Sequence, residues 1–154
     1  MKVTRIDQKG IELITQFEGL KLSPYLCPAN VPTIGYGTTR YYNGVKVSMS
    51  DLPITKEKAI EYLMHDVFTF ELAVDAMATD TVTQNQFNAL VSFAYNLGPN
   101  ALKNSTLLKK VNRNPNDLTI KAEFMKWVNA GGKKLAGLVR RREAESKLYF
   151  TQTL

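Results

Sequence analysis

The 154-residue chain has one cysteine, one histidine and one tryptophan. The single thiol, Cys27, has no partner within the chain, which excludes an internal disulfide framework and fits synthesis in a reducing cytosol. The lone His65 cannot build the several-ligand cluster that zinc requires, so it is expected on a helix surface. No hydrophobic run approaches the roughly 18 residues of a membrane span. The N-terminal MKVTRIDQKG is basic but lacks the apolar core of a secretory signal, so no signal peptide or membrane anchor is expected and the protein starts in the cytoplasm. Phosphate loops and dinucleotide fingerprints are missing too: Thr33-Ile34-Gly35-Tyr36-Gly37 lacks the third glycine and the lysine they need. Nothing matches a helix-turn-helix, zinc finger or RNA-binding signature, so no nucleic acid partner is expected.

What is present is ordinary globular material, 44% hydrophobic and 22% charged. A chain of this length buries roughly 68–70% of its unfolded surface, enough to fold without a metal or disulfide. It reads as one domain, 1–154, with a small β-lobe at about 19–52 and a helical part made of 1–18 and 53–154. The net charge of +6 favours encounter with a polyanion. Nucleic acid, anionic lipid and bacterial envelope polymers all qualify on charge alone.

Periodicity supplies the elements. Ile11, Leu13, Ile14 and Phe17 give one buried stripe to a helix over about Asp7–Phe17, which Gly19 ends, leaving Glu18 at its last turn. Residues 19 to 52 are rich in Gly, Pro, Tyr, Thr and Val. There Tyr41-Tyr42 and Val45-Lys46-Val47 flank Asn43-Gly44, a hairpin-type turn, and Thr33 to Gly37 is a second extended run. Thr55 caps a helix that continues to about Met77. Thr83 to Gln86 has capping-box spacing ahead of a helix ending near Leu97, closed by Gly98-Pro99. Shorter helices are predicted at about Ser105–Val111 and Leu118–Val128. Gly131-Gly132 breaks the chain before a last helix at about Gly137–Phe150. The fold class is α+β, a helix, a β-lobe and then a mostly helical lobe, with the site expected in a cleft between the lobes.

Glu18 is the first candidate for chemistry. A carboxylic acid partly withdrawn from water favours its protonated form, which is what a general acid needs to protonate a glycosidic oxygen. Taken alone it reads as a solvated helix-end carboxylate. Its surroundings add more. Eight residues separate Glu18 from Cys27 and five separate Cys27 from Thr33, within a run containing Pro24-Tyr25 and Thr33-Ile34-Gly35-Tyr36-Gly37. Two further stretches follow in order, Gln86 to Gly98 and Trp127 through Gly131-Gly132 to Gly137-Leu138 and Arg141-Arg142. Together these resemble glycoside hydrolase family 24, the phage-type lysozymes related to the lysozyme of T-even phages.

The resemblance implies a lysozyme-like fold and a muramidase that cuts the β-1,4 bond between N-acetylmuramic acid and N-acetylglucosamine in bacterial peptidoglycan. It implies no metal or organic cofactor. Glu18 would be the proton donor and Thr33 the group that holds the water. Cys27 departs from the aspartate common in the family, although some members carry cysteine. An unperturbed thiol is only a few per cent ionised at neutral pH, roughly. Two mechanisms therefore stay open: Cys27 helps activate a water, or it attacks the anomeric carbon directly. A third reading makes it a bystander. Thr38 also departs from the histidine that many relatives have after Gly37.

Tyr36, Gly37, Tyr95 and Ser105 are the candidate substrate contacts, with Trp127 assigned to the core. Arg140, Arg141 and Arg142 point about 100° apart on their helix. Arg141 is the candidate to face and orient Glu18, and the other two are expected in solvent. Release to the wall would need a membrane-permeabilising partner of the holin kind, and the protein is expected to act as a monomer. Two other readings compete: a lytic transglycosylase on the same bond, and a non-catalytic basic module that binds envelope polymer.

Overall fold

Asp7 organises the start of the chain. In the computed structural model, which describes residues 2–152, its carboxylate accepts the backbone N–H of Lys9 at 3.1 Å and of Gly10 at 3.4 Å. Helix α1 (Gln8–Phe17) thus begins on a side-chain cap. The same oxygen accepts Asn88 Nδ2 at 2.7 Å. Gly10 permits this approach, because a Cβ there would fall 2.7 Å from Asn88 Oδ1.

The chain divides into two compact units, one made of Met1–Leu13 with Phe70–Leu154, the other of Ile14–Thr69. In the first, helix α3 (Gln84–Leu97) is the central element, with every residue from Asn85 to Ala94 buried. Its start is a complete capping box: Thr83 Oγ1 accepts the Gln86 N–H at 3.1 Å, and Gln86 Oε1 accepts the Thr83 N–H at 2.9 Å. Helix α7 (Ala136–Tyr149) packs along α3. Helices α4 (Pro99–Lys103), α5 (Thr106–Arg113) and α6 (Ile120–Phe124) complete this unit, with Phe93 edge-on to Phe124 and Trp127 at 5.9 and 5.5 Å between ring centres. The last turns of α2 (Lys56–Met77), from Phe70 onward, also belong here.

The second unit holds strands β1 (Lys21–Leu26) and β2 (Pro32–Gly35), paired antiparallel through Tyr25 opposite Thr33 and Lys21 opposite Gly35. Four steps on β1 face two on β2, an irregularity at the stretch containing Pro24, which has no N–H to give to a ladder. Its core is Ile14, Ile34, Tyr36 and Val47 with Ala59, Leu63 and Val67 of α2. The α2 start matches expectation, with Thr55 Oγ1 accepting the Lys58 N–H at 3.1 Å.

The helices stand close to where the periodicity puts them, and the fold is α+β. The exceptions have local causes. The hairpin-type turn expected around Asn43-Gly44 is present but extends into no regular strand pair: the Tyr41 N–H bonds the Val45 carbonyl at 2.9 Å and the Val47 N–H the Thr39 carbonyl at 3.0 Å, with an isolated bridge between Arg40 and Lys46. The true hairpin pairs β1 with β2, and β1 was hidden by its proline. The helix expected over Leu118–Val128 is shorter: Asp117 Oδ1 takes the Thr119 N–H at 2.9 Å, and from Lys126 the backbone bonds tighten to i−3 spacing. Helix α4 follows Gly98-Pro99 directly, the proline sitting in its first turn. Gly131-Gly132 does more than break the chain. With φ of 59° and 78° it forms the turn between β3 (Asn129–Ala130) and β4 (Lys133–Lys134).

Replacing Thr83 by alanine removes one half of the capping box. The expected loss is about 1 kcal/mol, read as a lower denaturant midpoint with unchanged slope.

Candidate active site

Glu18 is the first residue beyond α1. Its N–H still reaches the Ile14 carbonyl at 3.0 Å, after which the chain bends. Gly19, expected to end the helix through backbone freedom, does so without a left-handed φ and with open space around it. The Glu18 side chain is half-buried.

Cys27 follows β1 in a tight turn. Its N–H bonds the Val31 carbonyl at 3.1 Å, its carbonyl accepts the Asn30 N–H at 2.8 Å, and Asn30 takes a φ of 63°. This turn aims backbone N–H groups at the sulfur. Hydrogen bonding from Val31 is the strongest cause holding the thiol below its ordinary pKa, with Ala29 and the Thr33 hydroxyl adding to it and partial desolvation opposing. The thiol is free and half-exposed.

Thr33 is 2% exposed and its hydroxyl donates to the Val31 carbonyl at 2.8 Å. A hydroxyl has one proton and two acceptor lone pairs. With a neutral thiol, the S–H can donate to Thr33 while Thr33 donates to Val31. With a thiolate, the Thr33 proton can turn from the Val31 carbonyl to the sulfur.

What holds Thr33 is the loop after it. Ile34 and Thr38 exchange two backbone hydrogen bonds at 2.9 Å each, closing a turn with Gly35 at φ 68° and Gly37 at φ 104°. Thr38, at the position where many relatives have histidine, is buried and donates to Asp66 Oδ2 at 2.7 Å. Burial pushes the Asp66 carboxyl up, only partly offset by the Thr38 hydroxyl and the His65 charge. Thr38 thus fixes the loop to α2 by a neutral donor.

Tyr25 is the residue sequence reasoning left without a role. Its phenol is raised first by desolvation and then by the charges of Cys27 and Glu18. It therefore lies close enough to feel both. Only its place in the run between Glu18 and Cys27 signalled it. Tyr36, expected to offer its ring to a sugar, is 5% exposed and belongs to the core, whereas Gly37 beside it is exposed.

The remaining candidates belong to the other unit. Tyr95 is half-buried with its ring edge-on to Phe70 at 5.2 Å. Ser105 is 3% exposed, and its hydroxyl caps α5, accepting the Leu108 N–H at 3.0 Å and donating to the Leu102 carbonyl at 2.6 Å. Arg141 is buried, with Nε 3.3 Å from Glu145 Oε2 and Nη2 3.2 Å from the Ser92 carbonyl. Arg142 corrects the expectation of a solvated residue. It is fully buried, its guanidinium 5.1 Å from the Phe93 ring centre, bonded to Asn96 and 3.1 Å from Glu145 Oε1. Arg140 is exposed, as is His65 on α2. Among the described residues, no three His, Cys, Asp or Glu side chains are grouped to hold a metal ion.

The family model described as phage lysozyme matches residues 15–145. The chain belongs to the phage lysozyme family. An endolysin of Bacillus phage B103 is 46% identical over 147 residues, covering 95% of this chain and 54% of that protein. The chain thus spans about half the length of such curated relatives. Solved structures agree with the lysozyme fold over nearly the whole chain. An endolysin from Escherichia coli O157:H7 phage FAHEc1 superposes with a TM-score of 0.85 at 38% identity, covering 97% of this chain and 96% of that one. The muramidase domain of SpmX from Asticaccaulis excentricus does so with 0.79 at 33%, covering 96% and 99%. The lysozyme-like fold anticipated from the motifs is therefore the fold of this family member. Among the described residues, no helix is long and apolar enough to cross a membrane.

The Cys27 geometry has a direct readout. The rate of Cys27 alkylation against pH should show a midpoint below that of an ordinary thiol. Thr33→Val, which removes one donor to the thiolate, should move that midpoint upward; an unmoved midpoint would contradict the hydrogen-bonded arrangement.

Proposed function

We propose that this phage lysozyme family member is a peptidoglycan N-acetylmuramidase, an endolysin that hydrolyses the β-1,4 bond between N-acetylmuramic acid and N-acetylglucosamine and so lyses a bacterial cell. The observation that carries the reading is the grouping of Glu18, Cys27 and Thr33 in one unit of a family member, with Tyr25 sensing the first two. A half-buried carboxylic acid, a lowered-pKa thiol and a hydroxyl that can turn toward it are the parts that glycoside hydrolysis needs.

In this proposal Glu18 protonates the leaving glycosidic oxygen as the bond breaks. Cys27 acts on the anomeric carbon's other side, either drawing a proton from a water that Thr33 holds or attacking the carbon itself. Donated hydrogen bonds from Val31 and Ala29 make more thiolate available at neutral pH and make each thiolate a weaker nucleophile. That trade favours a thiolate that stabilises positive charge developing on the sugar over one that attacks it. Gly37, exposed beside the buried Tyr36, and half-buried Tyr95 are the proposed substrate contacts. Tyr36 and Ser105 act through shape, because their side chains are buried and the Ser105 hydroxyl is spent on the α5 cap.

The catalytic set comes from one chain, which fits action as a monomer. The substrate is a polymer outside the cell membrane, so access through a holin-type opening is part of the proposal.

Glu18→Gln should lower clearing of purified peptidoglycan by at least about 10²-fold, the contribution of a general acid. Parental rates in this variant would sink the reading, and anhydro-muramic ends in the product masses would reassign the chain to a transglycosylase. Cys27→Ala should reduce activity whereas Cys27→Asp should largely keep it, measured as initial turbidity loss. Full activity in Cys27→Ala would make the thiol a bystander.

A further inference from the structure

Residues 40–65 place four rings in a chain of contacts, Tyr41, Tyr62, Tyr42 and His65, in the second unit. Tyr41 is the anchor. Its hydroxyl donates to Asp51 Oδ2 at 2.7 Å and its ring lies 5.2 Å from that of Tyr62. Tyr42 is different in kind. It is 64% exposed, with its ring 6.5 Å from Tyr62 and 6.0 Å from His65, tilted 46° and 57° against them. Such tilted edge contacts hold a ring in place while leaving a face to water. An aromatic ring kept this exposed adds little to a core that Tyr41 already secures.

The loop that carries Tyr42 is set rather than loose. Arg40 and Lys46 bridge across its base, the Arg40 guanidinium donates to the Gly44 carbonyl at 2.7 Å, and Asn43 Oδ1 accepts the Val45 N–H at 3.0 Å. A pre-ordered aromatic loses little freedom when a ligand covers it. Two cationic residues, Arg40 and Lys46, pair across the loop base, while Lys58, its ammonium 5.8 Å from the Tyr62 ring centre, is held by Glu61 at 3.0 Å.

We propose that Tyr42, backed by Tyr62 and His65, is a secondary binding surface for the glycan strand of peptidoglycan, outside the Glu18–Cys27–Thr33 set. The proposal rests on the muramidase reading above. A pyranose has apolar C–H faces that stack on an aromatic ring and hydroxyls at its rim that suit phenol and imidazole. The carboxylates of the stem peptides suit Arg40 and Lys46. Charge and ring chemistry thus fit one ligand together. A strand held here raises the local concentration of glycosidic bonds at the hydrolytic set, as linked sites do.

The test separates holding the polymer from cutting it. On a Glu18→Gln background, Tyr42→Ala should weaken binding to purified sacculi about five- to tenfold, the worth of one aromatic stacking contact. Tyr42→Trp should restore it, and melting temperature should stay unchanged in both. With Glu18 restored, Tyr42→Ala should slow hydrolysis of sacculi at low substrate while hydrolysing a soluble fragment of two disaccharide units at the parental rate. Unaltered binding to sacculi would overturn the proposal, as would an equal loss on the soluble fragment. Loss of binding to anionic phospholipid vesicles in place of sacculi would assign the surface to membranes instead. If Glu18→Gln still cut sacculi, the muramidase reading would fail, while the binding comparison would still report on this surface.

Discussion

Gly35 lies so near α2 that a Cβ on it would sit 3.3 Å from the Ala59 methyl, and its φ of 68° suits no other residue well. From this close approach the geometry of the candidate site follows. The reciprocal bonds of Ile34 and Thr38 close the turn, the Thr38 hydroxyl ties it to Asp66, and the strand leading into it carries Thr33. Thr33 faces the thiol of Cys27, whose turn is set by the pairing of β1 with β2. A glycine and a buried threonine thus help determine where a sulfur and a hydroxyl meet. The use of a neutral donor at Thr38 leaves Asp66 without a full countercharge there, which is why burial dominates its pKa.

The other unit relies on a different device. Glu145, fully buried in α7, receives the Ser92 hydroxyl at 2.6 Å and stands beside both Arg141 and Arg142. Burial pushes the Glu145 carboxyl up and Arg142 down, and each charge opposes the shift of the other. Such a cluster adds little net stability relative to apolar packing, yet deleting one member strands a charge at a cost of about 3–5 kcal/mol. Its contribution is geometric: Ser92 of α3 is joined to both Arg141 and Glu145 of α7. The flat face of Phe93 against the Arg142 guanidinium reinforces that junction.

The sequence made some of this legible and hid the rest for identifiable reasons. Apolar periodicity and caps located α1, α2, α3, α5 and α7 because each signal is local: Thr55 and Thr83 bond N–H groups three residues away. The spacing of Glu18, Cys27 and Thr33 was readable because a motif records positions. Tyr25 was not, since its coupling to Glu18 and Cys27 depends on how β1 turns. Arg142 was misjudged because three adjacent arginines look alike in one dimension, and only the packing of α7 on α3 separates exposed Arg140 from its buried neighbours. β1 was missed because Pro24 argues against a strand by every local rule, and an irregular edge pairing accommodates it.

The discontinuity of the first unit bears on how the chain acquires its structure. Ile6 donates its N–H to buried Glu71 at 2.7 Å, and Asp7 interlocks with Asn88, across 65 and 81 residues of sequence. These contacts close long loops, whose entropy must be surrendered before the contacts can form. During synthesis the opening segment stays undocked until α3 has left the ribosome, whereas the unit spanning 14–69 has all its residues available earlier. The contacts of Ile6 and Asp7 therefore cannot form before residues 71 and 88 have been made.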